Sequence, residues 1–277
     1  MAILLALGAA LSYGVSDFVA GLSARRAGFV PVALAAQVTG AAVVVAALAA
    51  TTRSLPGVPP VAWGAVSGLG GGLGTLFLYR GFARGRVGVV APLSALGTAV
   101  IPVVVGVGLG DRPSAPALAG IACALPAVWL VSRSPEPGAG APRVRGVADG
   151  LLAGVGFALL LIALQRGGTG HGLWPVAAGQ VAGVVVLGTV ALVHPGPLSL
   201  DRAAGAGSVI AGLLAAGAVV CYLAATGVGL LSLVAVITSL YPGSTVLLAR
   251  VVLHEKMGTG QRAGLVLAGV AIVLIVA

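Results

Sequence analysis

Ten stretches of mostly apolar residues follow one another along the chain, and short connections that carry most of the charged residues separate them. A helix that crosses the hydrocarbon core of a bilayer needs about 20 mostly apolar residues, and the ten stretches are close to that length. The predicted spans are residues 2–22, 31–50, 61–79, 87–109, 115–132, 147–165, 174–193, 206–225, 229–252 and 260–276. The pattern predicts an all-α integral membrane protein with ten transmembrane helices.

The composition indicates that lipid is the main solvent of this chain. Of its 277 residues, 59% are hydrophobic and 8% are charged, and the mean hydropathy is +1.14. Soluble domains carry roughly a quarter of their residues as Asp, Glu, Lys and Arg, because water must solvate their surface. A soluble enzyme, a disulfide scaffold and a disordered chain are therefore excluded. We expect a multi-pass protein of the plasma membrane.

The net charge of +9 would suggest a nucleic-acid partner in a soluble chain. Here the basic residues fall in connections between spans, where they set orientation through the positive-inside bias. Of the 15 Lys and Arg residues, all except Arg53, Arg112 and Arg166 lie on the side where odd-numbered spans end, with Arg250 and Arg262 counted at the adjoining ends of the ninth and tenth spans. This distribution predicts a cytoplasmic central connection with both termini outside, and no nucleic-acid partner is expected.

The two halves of the chain repeat the same pattern of scarce residues. The matching pairs are Gly28 and Gly172, Pro31 and Pro175, Leu96 and Leu240, Asp111 and Glu255 and, after a slip of one position, Gln37 and Gln180. Chance agreement is disfavoured because Pro, Gln and acidic residues are scarce in this chain. Residues 1–133 and 145–277 are therefore predicted to be two five-span repeats, joined by a Pro- and Gly-rich linker at 134–144. Because five is odd, the second repeat enters the membrane from the opposite side, as in inverted-repeat transporters.

Short motifs near the end of each repeat resemble those of a known family. Their residues are Leu253-His254-Glu255-Lys256-Met257, Gln261 and Gly264 in the second copy, and Leu109-Gly110-Asp111-Arg112-Pro113 and Gly120 in the first. The pattern is similar to the end of an EamA domain, the repeat unit of the drug/metabolite transporter superfamily, although Asp111 and His254 depart from its usual Glu and Gly. The resemblance implies a secondary carrier of small polar metabolites, commonly an exporter of amino acids or related compounds. It also implies cytoplasmic termini, in contradiction to the basic-residue distribution, so both orientations stay open.

The residues themselves favour a carrier over an enzyme. No GxxxxGK[ST] phosphate loop occurs, so we expect neither direct use of ATP nor a bound cofactor. His171, His194 and His254 lie in separate connections without an HExxH motif, so neither a metal site nor a nucleophile is evident. We expect alternating access of a small polar or amphipathic substrate, with export coupled to protons. A passive facilitator or channel would share the spans and stays an alternative.

The first span contains the leading candidate for coupling. Tyr13 and Asp17 lie four residues apart, so with Ser16 they form one polar patch on an apolar helix. Ionisable residues inside the hydrocarbon are costly and mark pathways by default, so Asp17 is predicted to exchange a proton for substrate. The alternative is that Asp17 is hydrated near the end of its span, or pairs with Arg25 or Arg26.

Gln37 and Gln180 occupy matching positions in the second and seventh spans. A primary amide in lipid requires hydrogen-bond partners. Two interpretations are open: the amides line a cavity and bind substrate, or they join helices to each other.

Proline punctuates the fourth and ninth spans, at Pro92 and Pro102 in one and at Pro242 in the other. Proline frees a backbone carbonyl and weakens the helix locally, so both spans are predicted to bend and to present polar groups near the midplane. The candidate cavity residues on these spans are Ser94, Thr98, Thr238 and Tyr241. The alternative is that their hydroxyls bond back to their own helix.

The remaining polar and small residues are predicted to be structural. Asp111-Arg112 and Glu255-Lys256 are expected to satisfy helix caps, and the cluster that begins with Arg80 is expected to be a stop-transfer signal. The glycines between positions 68 and 74 are expected to allow close helix approach. The Gly- and Ala-rich faces of the fifth and tenth spans suit either a homodimer or lipid, and both alternatives stay open.

Overall fold

The computed structural model of the protein describes residues 1–51, 56–84, 87–132, 146–193, 195–254 and 257–277, and this part of the chain is helical without strands. The helices are α1 (Ala2–Ala27), α2 (Phe29–Thr51), α3 (Val58–Arg84), α4 (Val87–Gly108), α5 (Ala115–Ser132), α6 (Val147–Gly167), α7 (Trp174–Leu192), α8 (Arg202–Thr226), α9 (Leu231–Thr238), α10 (Tyr241–Val252) and α11 (Thr259–Val276). The predicted linker at 134–144, Glu255 and Lys256 lie outside the described residues.

Ten helical segments of the described chain are long and apolar enough to span a membrane, which confirms the predicted number of transmembrane helices. The ninth span consists of two helices, α9 and α10, which meet at Ser239 and Leu240. Pro242 is the second residue of α10. Proline is tolerated in the first turn of a helix, where its missing N–H would have no helical partner, so Pro242 marks a new helix start in mid-span.

The fourth span is one continuous helix, and its predicted bend stays a prediction. α4 is continuous over Val87–Gly108 although it contains Pro92 and Pro102. The position in α4 that matches Pro242 at the offset of 144 is Thr98, which keeps its backbone N–H. The prolines therefore occupy different positions along the two spans. Of these two spans, only the ninth is divided into two helices near its middle.

Helix packing pairs each half of the chain with the other. α3 packs against α6 and α7, while α1 and α2 both pack against α8. α2 also packs against α7, and α5 packs against α11. These contacts interchange when every span is exchanged with the span five places along, as a two-fold relation between two repeats requires. The inversion of the repeats and their boundaries stay predictions.

Glycines of α3 allow the close approach to both of its neighbours. An added Cβ at Gly64 would lie 2.8 Å from the Cα of Pro175 in α7, and one at Gly70 would lie 2.7 Å from the Gly156 carbonyl oxygen in α6. Gly68 meets the Gly179 carbonyl of α7 in the same way. The glycine-rich stretch is therefore a packing surface with two faces, as the sequence predicted.

Arg80 lies inside α3, just beyond the apolar span Val58–Leu78, and its role in a stop-transfer cluster stays a prediction. Its Nε and NH2 groups donate to Oδ1 of Asp149, at 2.7 and 2.6 Å. Asp149 lies in the first turn of α6, where the helix N-terminus also favours a negative charge. The guanidinium carbon lies 4.7 Å from the centre of the Phe77 ring. The ion pair joins α3 to α6 near one membrane surface.

We expect a double-mutant cycle on Arg80→Ala and Asp149→Ala to give a coupling free energy of about 1 kcal/mol, since the Arg80 side chain is 39% exposed and water screens the pair. Arg80→Ala should cost more than Asp149→Ala, because it leaves the buried Asp149 carboxylate, 10% exposed, without its cation, whereas Arg80 is 39% exposed and can be solvated. Denaturant unfolding of the purified protein in detergent measures all four variants. Additive single-variant effects would show that the pair contributes no coupling.

Candidate functional site

A cavity of about 560 Å³ lies inside the helix bundle, between elements of both halves of the chain. All nine residues that the sequence predicted as substrate or coupling positions line it. They are Tyr13, Ser16, Asp17, Gln37, Ser94, Thr98, Gln180, Thr238 and Tyr241. The volume falls in the usual range for sites that enclose small organic molecules. The structure thus brings the nine residues together, and their roles stay predictions.

The cavity is accessible from one end of the bundle. Its lining residues Gly21, Ser132 and Gln261 are exposed or half-buried, and they lie where α1 and α5 end and α11 begins. Toward the opposite end the lining includes Leu164 and Val176, each of which is 1% exposed. Within the described residues, the cavity is therefore open at one end of the bundle and closed at the other.

Asp17 is the one acidic residue among the described residues that line the cavity. It is exposed to the cavity space, and no hydrogen bond or ion pair joins its carboxylate to another residue of the described chain. An unpaired carboxylate in a membrane-embedded cavity is unfavourable unless water, a proton or a cation neutralises it. This position matches the predicted coupling role better than the alternative of a pair with Arg25 or Arg26.

Two tyrosines accompany the carboxylate. The rings of Tyr13 in α1 and Tyr241 in α10 have centres 6.3 Å apart and planes tilted by 59°. Both phenol groups lie within electrostatic range of Asp17. Tyr241 is the first residue of α10, directly after the break in the ninth span, and its ring contacts that of Tyr13 on α1.

The matching positions of the second repeat carry no such group. At the offset of 144, Tyr13 corresponds to Phe157 and Asp17 to Leu161, and both of these residues line the cavity on α6. The Leu161 carbonyl accepts a hydrogen bond of 3.1 Å from the hydroxyl of Tyr222 in α8. The cavity therefore has a polar wall on α1 and an apolar wall on α6.

Gln37 and Gln180 form a bridge between α2 and α7. The Gln37 amide Nε2 donates to Oε1 of Gln180 at 2.5 Å and to the Gln180 backbone carbonyl at 3.1 Å. Each side chain packs on a glycine of the other helix, because an added Cβ would lie 2.5 Å from Gln37 at Gly183 and 3.2 Å from Gln180 at Gly40. Of the two predicted alternatives, this geometry favours a helix-joining role at the cavity edge.

The hydroxyl groups of the cavity fall into two classes. Ser16 donates to the Ala211 carbonyl of α8 at 2.8 Å, and Thr98 donates to the Ser94 carbonyl of its own helix at 2.8 Å. By contrast, the hydroxyls of Ser94 and Thr238 are buried without a partner in the described chain. These two residues match at the offset of 144, so each half has an unpartnered hydroxyl at this position of the lining, and the lining residue Ser132 has another.

Sequence reasoning missed four polar lining residues. They are Ser67, Thr75, Ser132 and Gln261. Ser67 and Thr75 lie eight residues apart on α3, which places them on one helix face, and that periodicity in an apolar span was a usable signal. Ser132 and Gln261 lie near helix ends, where polar residues are common, so the sequence offered no such signal.

The closed end of the bundle contains a contact between the halves. Oδ2 of Asp111, which follows α4, accepts a hydrogen bond of 2.8 Å from the backbone N–H of Ser232 in the first turn of α9. Gly106 leaves room for this carboxylate, since an added Cβ would lie 2.6 Å from it. A smaller cavity of about 250 Å³ lies beside Asp111, Gln165 and Arg166. The prediction that Asp111 satisfies a helix cap is confirmed, although the capped helix belongs to the other half.

Comparisons with known proteins identify the family. Residues 144–277 match the model of the EamA-like transporter family. A solved structure, described only as the crystal structure of a protein, is 18% identical and covers 99% of this chain and 98% of its own, with a TM-score of 0.82. At that identity the likeness shows the fold alone. A comparison with proteins of curated function finds no significant match. Residues 144–277 therefore belong to the EamA-like transporter family, and together with ten described helices that are apolar enough to span a membrane they support a multi-pass membrane transporter.

Proposed function

We propose that the protein is a secondary active transporter that exports a small polar or amphipathic metabolite across the plasma membrane in exchange for protons. The observation that carries the proposal is the single unpaired carboxylate, Asp17, in a cavity between the two halves of the chain. A carboxylate at this depth gains stability when a proton or a cationic ligand neutralises it. A carboxylate that binds either a proton or a cationic ligand can couple the movement of one across the membrane to the movement of the other.

Alternating access requires that the cavity close at one surface before it opens at the other. Two five-helix repeats of opposite orientation, 1–133 and 145–277, would supply two nearly equivalent arrangements. In support, the main helix contacts interchange when the halves are exchanged. The contact between Asp111 and the first turn of α9 holds the closed end, and the break between α9 and α10 offers a hinge.

We expect Asp111→Leu to weaken this closed end, because a carboxylate at a helix N-terminus contributes up to about 2 kcal/mol. The measurement is the rate at which a membrane-impermeant maleimide, added from the closed side, labels Val176→Cys in a background without Cys123 and Cys221. Labelling should become about tenfold faster, since a change of about 1.4 kcal/mol is tenfold in an equilibrium. Arg112→Ala, an exposed neighbour, is the matched control and should label as the parent does.

The proposal is tested by reconstitution in proteoliposomes with an imposed pH gradient. A mixture of amino acids, amines and other amphipathic metabolites is offered, and mass spectrometry identifies the compound that accumulates. A carrier shows saturation, accumulation against a concentration gradient and acceleration by substrate on the opposite side. Flux that follows only the concentration gradient and lacks counterflow would indicate a facilitator and contradict the proposal.

A further inference from the structure

The two long walls of the cavity have opposite chemistry. The α1 wall presents Asp17 and the ring and hydroxyl of Tyr13. The α6 wall presents apolar side chains at its lining positions, which are Phe157, Leu160, Leu161 and Leu164. A ligand that satisfies both walls has a polar or charged end and an apolar end.

We propose that the substrate is an amphipathic organic amine, a small monocation whose ammonium group pairs with Asp17 and whose apolar body lies against the α6 wall. This inference rests on the proposed carrier function and names its substrate class. It goes beyond the family resemblance, which implies amino acids and related compounds.

The groups around Asp17 indicate which charged group the substrate carries. The carboxylate has no partner in the described chain, the phenol groups of Tyr13 and Tyr241 lie within electrostatic range of it, and the centres of the two rings are 6.3 Å apart. An ammonium group offers N–H donors to the carboxylate, and aromatic rings within about 6 Å attract a cation through their quadrupole. A neutral hydroxyl compound would use neither the charge of Asp17 nor the faces of the rings.

The lining also disfavours substrates that carry a carboxylate. Among the described residues that line the cavity there is no Lys or Arg. A zwitterionic amino acid would therefore bring a carboxylate into an enclosed site whose fixed charge is already negative, without a cation to pair with it. Burying an unpaired charge is costly, so selectivity favours amines over the corresponding amino acids.

The same geometry accounts for exchange with protons. One carboxylate can be neutralised by a proton or by an ammonium group, and the two compete. The other titratable groups that face Asp17 within the described chain are the phenols of Tyr13 and Tyr241. Arg25 and Arg26 are two turns further along α1, near its end. Acidification at one surface would therefore displace the amine there.

The test measures equilibrium binding in lipid nanodiscs at neutral pH with a charge series on one skeleton. The probes are phenethylamine, phenylalanine and 3-phenylpropionate, which carry charges of about +1, 0 and −1 near neutral pH, and ethylamine, which lacks the apolar body. We expect phenethylamine to bind at least about tenfold more tightly than each of the other three, as about 1.4 kcal/mol of lost pairing or apolar contact predicts.

Four variants locate the site. Asp17→Asn should weaken phenethylamine binding by about 10- to 100-fold, in line with loss of a charge-assisted hydrogen bond. Asp201→Asn is the matched control: it removes an equal charge at the exposed N-cap of α8, where Asn also caps well, and should bind as the parent does. Tyr241→Phe keeps the ring and should retain binding, whereas Tyr241→Leu should weaken it by a few-fold.

Equal or tighter binding of phenylalanine or 3-phenylpropionate would overturn the substrate class, and so would amine binding that ignores Asp17→Asn or no amine binding up to millimolar concentration. Because binding is measured without a gradient, the outcome is separate from that of the transport assay. Amine binding without counterflow would contradict the carrier alone. Counterflow of phenylalanine, with no binding of the amine, would contradict the substrate class alone.

Discussion

Gradient-driven transport is expected to fall to the level of protein-free vesicles when Asp17 is replaced with Asn. The amide has nearly the same shape as the carboxylate, so packing on α1 is preserved, but it neither carries charge nor exchanges a proton. Since Asp17 is the one acidic residue among the described lining residues, no neighbour can take over its role. Flux through the parent should depend on pH on both sides of the membrane, and residual flux through the variant should not.

Proteoliposomes with matched protein content and opposite pH gradients measure this effect. Asp201→Asn serves as the control, because it removes one negative charge outside the cavity and keeps a capping side chain on α8. Thermal unfolding in detergent verifies that Asp17→Asn is folded. Unchanged pH-dependent flux in this variant would show that Asp17 is structural and that coupling, if present, lies elsewhere.

Replacing Gly68 with Ala should destabilise the folded protein by about 3 kcal/mol, at the upper end of the usual cost of overpacking. The added Cβ would overlap the Gly179 carbonyl oxygen of α7 and would lie 2.8 Å from the Cβ of Ala182. Both atoms belong to, or are attached directly to, a helix backbone, so no side chain can rotate away. α3 and α7 would have to separate along the cavity wall.

The control for Gly68→Ala is Gly217→Ala. Gly217 lies in α8, is exposed, and has no atom within 4 Å of an added Cβ. Ala has the higher helix propensity, so this variant should be as stable as the parent or slightly more stable. Unfolding midpoints in one detergent compare the two variants. Equal midpoints would mean that α3 and α7 can move apart to accommodate the added Cβ without a loss of stability.

The ten spans could be predicted from the sequence because the bilayer imposes one requirement everywhere: an apolar stretch of sufficient length with its backbone polar groups satisfied internally. The observed helices follow the predicted spans closely, and α5 begins and ends at the predicted residues. The prolines were harder to interpret. Periodicity and composition do not reveal whether a proline falls in a helix interior or in the first turn of a new helix, and the structure shows the first case in α4 and the second at the start of α10.

The candidate cavity was also largely predictable, for a related reason. Polar side chains in an apolar span must find partners or water, so Asp17, Gln37 and Thr238 were conspicuous in the sequence. Their grouping around one cavity could be expected once the halves were recognised as repeats. Ser67 and Thr75 were missed because a hydroxyl can satisfy itself on its own helix, which makes its presence in a span less informative.

The sequence by itself determined that this chain is a membrane protein with ten apolar spans and one acidic residue in its first span, and it predicts two related halves, because each of these properties depends on local composition or on direct comparison of segments. Only the tertiary structure decided which polar groups form hydrogen bonds to other helices and which have no partner in the described chain. Gln37 and Gln180 bond to each other, Asp111 reaches the first turn of α9, and Asp17 stands unpaired beside two tyrosine rings. These outcomes depend on distances between helices that are far apart in the sequence, and spacing along the chain contains no information about such distances.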